Sequence, residues 1–175
     1  RKCYKRARPC DQDELLANTS PFSFFGKFAR TFGGERMLLH DSGPSDAKRF
    51  VVFASDHQLR MLSNSNEISI DATFEAAPEG FDLVWTIHCR NLDKFFLSVV
   101  VFMNGNRAGL FPTAEYERVI AKLRQEPSLR NWSVSRIFSD YEIAPQSAFM
   151  LHFPTVEFNL CFFHKSQNLR KKAAS

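Results

Sequence analysis

The chain has 175 residues, 44% of them apolar and 24% charged, with 23 lysines and arginines against 19 acids. That length fits one domain with or without tails, and the composition excludes a wholly disordered chain. The longest apolar run, residues 95–103, covers nine residues and contains Ser98, where a membrane-spanning helix needs about 20. No apolar core follows the basic N-terminal residues, as a secretory signal would require. No membrane partner is therefore expected. The first residue is Arg1 rather than Met, which suggests a fragment.

The charge is unevenly placed. Arg1, Lys2, Lys5, Arg6 and Arg8 fall within residues 1–10, and Lys165, Arg170, Lys171 and Lys172 within residues 161–175, with no acid in either stretch. The chain between them holds 14 basic against 19 acidic residues, so the positive total comes from the two ends. Basic ends attract phosphate backbones through counterion release, although short basic runs are most often solvated termini. The four cysteines stand at 3, 10, 89 and 161. These spacings match neither paired CxxC knuckles nor a compact disulfide framework, so reduced thiols and an intracellular compartment are expected.

In chain order, residues 1–48 carry Pro9, Pro21, Gly33-Gly34 and the turn-rich 41–46, and are expected to be a loosely ordered arm. Ordered structure is expected from Arg49 on. Residues 50–54 are a short buried strand. Ser55 or Asp56 caps a helix to about Ser63, with Leu59 and Leu62 on one face. Residues 67–74 and 81–90 are strands, the second alternating cleanly through Phe81, Leu83, Trp85, Ile87 and Cys89. After a turn at 91–94, residues 95–103 are apolar on both faces, as a central strand is. The period then lengthens. Tyr116, Val119, Ile120 and Leu123 mark a helix opened by Pro112 or Thr113 and stopped by Pro127. A strand over 133–139, a short helix over 142–152 interrupted at Pro145, a strand over 156–163 and a basic helix over 164–174 complete the order.

From Glu67 that order is three antiparallel strands, then strand and helix in alternation. It predicts an α/β fold with a mixed five-stranded sheet and flanking helices, which is the order of the ribonuclease H-like fold, truncated here at the C-terminus. In that fold the first strand lies parallel to the fourth. Asp71 is expected to end the first and Asp140 the fourth, on one rim of the sheet. Two such carboxylates repel unless a cation lies between them. Their hard oxygens suit Mg²⁺ or Mn²⁺, and two ions roughly 4 Å apart serve phosphoryl transfer, given a third acidic ligand. The plainer reading of each aspartate is a turn or helix-cap residue.

Three blocks carry a family resemblance. Ile70-Asp71-Ala72-Thr73-Phe74, followed by Pro78 and residues 85–88, resembles the first catalytic block of the MULE (Mutator-like element) transposases. Ile137-Phe138-Ser139-Asp140-Tyr141-Glu142 with Ala148 resembles the second, and Cys161-Phe162-Phe163-His164 with Gln167 and a basic stretch resembles the C-x-x-H block. The likeness covers residues 47–172. It implies a DD(E/D) transposase core that cuts and joins DNA with a divalent metal, in the nucleus, self-associating in a transposition complex. Asp71 and Asp140 are then the first two metal and catalytic ligands. The third acid of the family lies beyond the C-x-x-H block; neither Glu142 nor Glu157 occupies its place. Residues 49–175 are accordingly read as a partial transposase domain, expected to be inactive alone and weak in Mg²⁺ or Mn²⁺ binding.

Cys161 and His164 are competent zinc ligands, but a structural site needs four. Cys89 and His152 have no supporting spacing, so zinc is disfavoured and a packing or rim role is expected for Cys161. His57 and His88 show no partner in the sequence and receive no role. Trp85 and Trp132 are read as core anchors. Lys165, Arg170, Lys171 and Lys172 are the nucleic-acid candidates. The rival to catalysis is a transposase-derived module that binds nucleic acid without cutting it; a nuclease acting on RNA is a third reading.

Overall fold

A computed structural model describes residues 24, 26–105, 111–140 and 142–160. Its frame is one seven-stranded sheet: β1 (Leu38–Asp41), β2 (Phe50–Phe53), β3 (Glu67–Thr73), β4 (Leu83–Asn91), β5 (Lys94–Met103), β6 (Arg136–Ser139) and β7 (Glu157–Leu160). The spatial order is β1-β2-β5-β4-β3-β6-β7. The strands from β1 through β3 pair antiparallel, while β3 with β6 and β6 with β7 pair parallel. The expected five-stranded mixed sheet is present as β5-β4-β3-β6-β7, and the count is corrected to seven because β1 and β2 extend it. Residues 38–41 lie in the stretch expected to be a loose arm. Leu-Leu-His-Asp carries no period of its own, and only the pairing with β2 makes it a strand.

Three helices pack on one face: α1 (Asp56–Ser63), α2 (Thr113–Arg124) and α3 (Ile143–His152). A capping box opens α1: the Gln58 N–H donates to Ser55 Oγ at 3.3 Å and the Ser55 N–H to Gln58 Oε1 at 2.8 Å. Its Leu59 and Leu62 are buried. Pro112 precedes α2, whose Tyr116, Val119, Ile120 and Leu123 face the sheet as the spacing predicts. Pro145 does not interrupt α3. It is the third helical residue, where its missing N–H has no intrahelical acceptor to lose. The main core joins these helices to Ile68, Ile70, Trp85, Ile87, Val99 and Val101. Trp85 and Trp132 are anchors in it, 1% and 2% exposed. On the other face a smaller cluster gathers Val51, Phe53 and Phe81, with Phe24 leaning on Phe53 at 5.1 Å between ring centroids.

The β1–β2 connection is tied down by ion pairs. Arg49, nearly buried, donates to both oxygens of Asp41 at 2.9 and 2.6 Å, and Arg118 of α2 donates to Asp46 at 2.6 Å. Burial pushes Asp41 up, but the Arg49 hydrogen bonds, the Gly43 N–H and the Arg49 charge outweigh it and hold the carboxyl below its ordinary value. A depressed carboxylate contributes stability above its unfolded pKa of 3.8 and loses it as pH falls through the folded value. Asp41→Asn is therefore expected to be less stable than the native chain at about pH 6 and to show a flatter loss of stability below about pH 4. Urea unfolding across that range checks this; parallel curves for the two proteins would exclude the pair as an acid-sensitive element.

Candidate active site

β3 alternates, turning Ile68 and Ile70 into the main core and leaving Asp71 exposed. β6 does the same with Ile137 and Ser139 buried, and Asp140, half-buried, follows directly. The parallel pairing couples Glu67 to Arg136, Ile68 to Ile137 and Ser69 to Phe138, a constant offset of 69 residues. Asp71 and Asp140 are separated by the same 69. The paired register ends at Ser69 and Phe138, two residues short of each aspartate, and Asp140 directly follows the end of β6. One expectation is corrected: Asp71 does not end its strand, because β3 stays paired with β4 through Ala72 and Thr73.

The backbone at Asp140 is held from α3. Gln146 Nε2 donates to the Asp140 carbonyl at 2.9 Å and to Ser139 Oγ at 3.0 Å, and the Ser139 hydroxyl donates to the same carbonyl. The Glu142 N–H approaches Asp140 Oδ1 at 3.4 Å, at the start of α3, where helix N–H groups favour an anion. At Asp71, Thr86 Oγ1 donates to the backbone carbonyl at 3.2 Å.

Two neighbours were silent in the sequence. His88 stands opposite Ser69 on β4, two residues along from the Asp71–Thr86 pair. Burial lowers its pKa, opposed by the Asp71 charge and a hydrogen bond with the Ser69 backbone. It thus has the partners that sequence reading did not find. Tyr116, in the first turn of α2, has its hydroxyl pKa pushed well above the ordinary phenol value, first by burial and then by the charges of Glu142, Asp140 and Glu115. Its ring packs edge-on against Trp85 at 4.9 Å. Only the tertiary neighbourhood distinguishes it from any core tyrosine, since its position in the apolar helix pattern reads as packing.

Two carboxylates with hard oxygens fit a divalent cation in kind, but not in number. Among the described residues no three His, Cys, Asp or Glu side chains converge closely enough to hold a metal ion. Cys89 is a free thiol buried in the core, and His152 lies 3.3 Å from Glu117. Cys161, His164, Lys165, Arg170, Lys171 and Lys172 lie outside the described residues, as do Arg1, Lys2, Lys5, Arg6 and Arg8.

The fold and rim thus define a mixed α/β domain with a seven-stranded sheet and three helices, consistent with a ribonuclease H-like core. A family model for the MULE transposase domain matches residues 67–168, more than half of the chain, and the chain belongs to that family. The match begins at the first residue of β3 and takes in both aspartates. No curated protein matches the chain. Membership gives the domain a transposase-related function.

Proposed function

We propose that this is the phosphodiester-cutting core of a DNA transposase, with Asp71 and Asp140 as its first two divalent-cation ligands. The observation that supports this most directly is the 69-residue offset shared by the β3–β6 register and the two aspartates. Neighbouring strands run about 4.8 Å apart, which would put carboxylates on adjacent strands within reach of one ion. Mg²⁺ or Mn²⁺ held there would supply Lewis acidity at a phosphoryl oxygen. The chain's own contribution is positional. Gln146 fixes the Asp140 backbone, and α3 presents N–H groups beside it. Lys165, Arg170, Lys171 and Lys172 are assigned to DNA phosphates on charge alone, and Cys161 and His164 to the edge of the site through the family block. A transposase domain over 49–175, extended by β1, nuclear location and self-association belong to the same proposal. No helix among the described residues is long and apolar enough to cross a membrane.

Titration calorimetry with Mn²⁺ tests the ligand assignment. The native chain is expected to bind weakly, and Asp71→Asn and Asp140→Asn each to lose at least tenfold in affinity. Undiminished binding in the double variant would remove these aspartates from any metal site. The rival reading, a module that holds nucleic acid without cutting it, is favoured by the lack of a three-ligand cluster among the described residues. It requires DNA affinity in both aspartate variants equal to that of the native chain, with or without metal.

A further inference from the structure

β5 is apolar on both faces, a pattern that belongs to a strand buried on both sides. The helices cover one side, where Val99, Val101 and Met103 join the main core. On the opposite face the β5 side chains fall into two groups. Phe102 and Val100, paired with Val84 and Thr86, are half-buried in the cluster that Phe24 joins. Leu97 and Phe95, paired with His88 and Arg90, are 43% and 41% exposed. We propose that the chain preceding Phe24 continues along this face and seats Leu15 and Leu16 on Leu97 and Phe95.

Register fixes the face. Trp85, Ile87 and Cys89 of β4 lie in the main core, so Thr86, His88 and Arg90 point the other way, and their β5 partners with them. A bulge between Ile87 and His88 shifts the pairing. That is why Val99 and Leu97, two residues apart, fall on opposite faces. Phe138 of β6 follows the buried Ile137, and its ring stands 5.4 Å from that of Phe95 between centroids. Leu97, Phe95 and Phe138 thus make one apolar stripe, which no helix among the described residues covers. Contiguous exposed apolar surface of this kind marks a docking site in a water-soluble domain.

Phe24 identifies the occupant. Its ring lies 5.1 Å from that of Phe53 and 6.1 Å from those of Phe81 and Phe102, with the Arg49 guanidinium 6.0 Å away. The N-terminal chain is therefore already seated on this face, at the covered half of the β5 stripe. Residues 161–175, by contrast, start from β7, four strands away from β5.

The lengths agree. Leu97 and Phe95 lie five and seven residues along β5 from Phe102, about 16 and 23 Å at the rise of a strand. Leu16 and Leu15 precede Phe24 by eight and nine residues, a reach of about 26–30 Å when extended. The two leucines can therefore arrive over the exposed half of the stripe while Phe24 stays where it is. β5 is two strands from β3, or roughly 10 Å, so the segment flanks Asp71 without covering it. The docking needs no metal and stands apart from the role of the aspartates.

The test is NMR of the full chain with labelled methyl groups, paired with thermal unfolding. Nuclear Overhauser contacts are expected from the Leu15 and Leu16 methyls to the Leu97 methyls and the Phe95 ring. Leu97→Asp is expected to remove them and to return the Leu15 and Leu16 methyls to random-coil shifts, with the core methyls of Val99 and Val101 unmoved as the sign that the domain folds. Leu15→Ser with Leu16→Ser is expected to lower the thermal midpoint by about 4 °C or more. Leu92→Asp, at the hairpin tip and 89% exposed, is expected to leave contacts and midpoint as in the native chain. Random-coil shifts for Leu15 and Leu16 in the native chain would overturn the proposal, as would an unchanged midpoint in the double variant. If Leu97 instead contacts Phe162, Phe163 or Leu169, the C-terminal stretch covers the face and the assignment fails. It fails equally if isotope-filtered spectra show that the contacts join two molecules.

Discussion

Asp71→Asn or Asp140→Asn is expected to lower metal-dependent DNA cleavage by the assembled transposase by roughly a hundredfold or more, while leaving the metal-free domain as stable as the native one or slightly more so. The two effects have one cause. A cation at a phosphoryl centre supplies several kcal/mol of transition-state stabilisation, and about 1.4 kcal/mol is a factor of ten in rate. In the proposed site, two carboxylates sharing one ion would repel each other without metal, and neutralising one would relieve this. A merely structural aspartate behaves in the opposite way. If Asp140 served only to cap α3 through its contact with the Glu142 N–H, its asparagine variant would retain cleavage, since asparagine caps a helix about as well. Cleavage assays with Mg²⁺ and Mn²⁺, paired with unfolding in EDTA, separate the two. Full cleavage by Asp71→Asn would exclude it as a ligand.

Phe149→Ala is expected to destabilise the domain by about 3–5 kcal/mol, which for a chain of this size lowers the melting temperature by roughly 10 °C. Phe149 is fully buried, and its ring lies 6.0 Å from that of Trp85, 6.4 Å from Trp132 and 6.1 Å from Phe153. It docks α3 onto the sheet. Because α3 carries Gln146, the donor to the Asp140 carbonyl, the same change is expected to loosen the rim and weaken Mn²⁺ binding. Phe149→Leu retains most of the volume and is expected to cost less than about 1.5 kcal/mol. Urea unfolding of both variants is the measurement; a loss below about 1 kcal/mol for Phe149→Ala would mean that α3 is not anchored by this ring.

Asp71 lies in β3 and Asp140 directly after β6, and the order of these strands along the chain already indicates parallel neighbours, so their placement on adjacent strands follows from connectivity. His88 was overlooked because its relation to Asp71 depends on hairpin register across a loop whose length does not specify it.

Taken alone, the sequence determined the elements from Glu67 onward, the faces of β4 and α2 and the two aspartates worth testing, because periodicity, capping and turn chemistry act over a few residues. Tertiary structure decided the rest. It recruited residues 38–41 as a strand, kept Pro145 inside α3, carried β3 past Asp71 and set the rim's neighbours at Tyr116, Gln146 and His88. Each of these depends on a partner brought close by folding, whose free energy of contact no local pattern encodes.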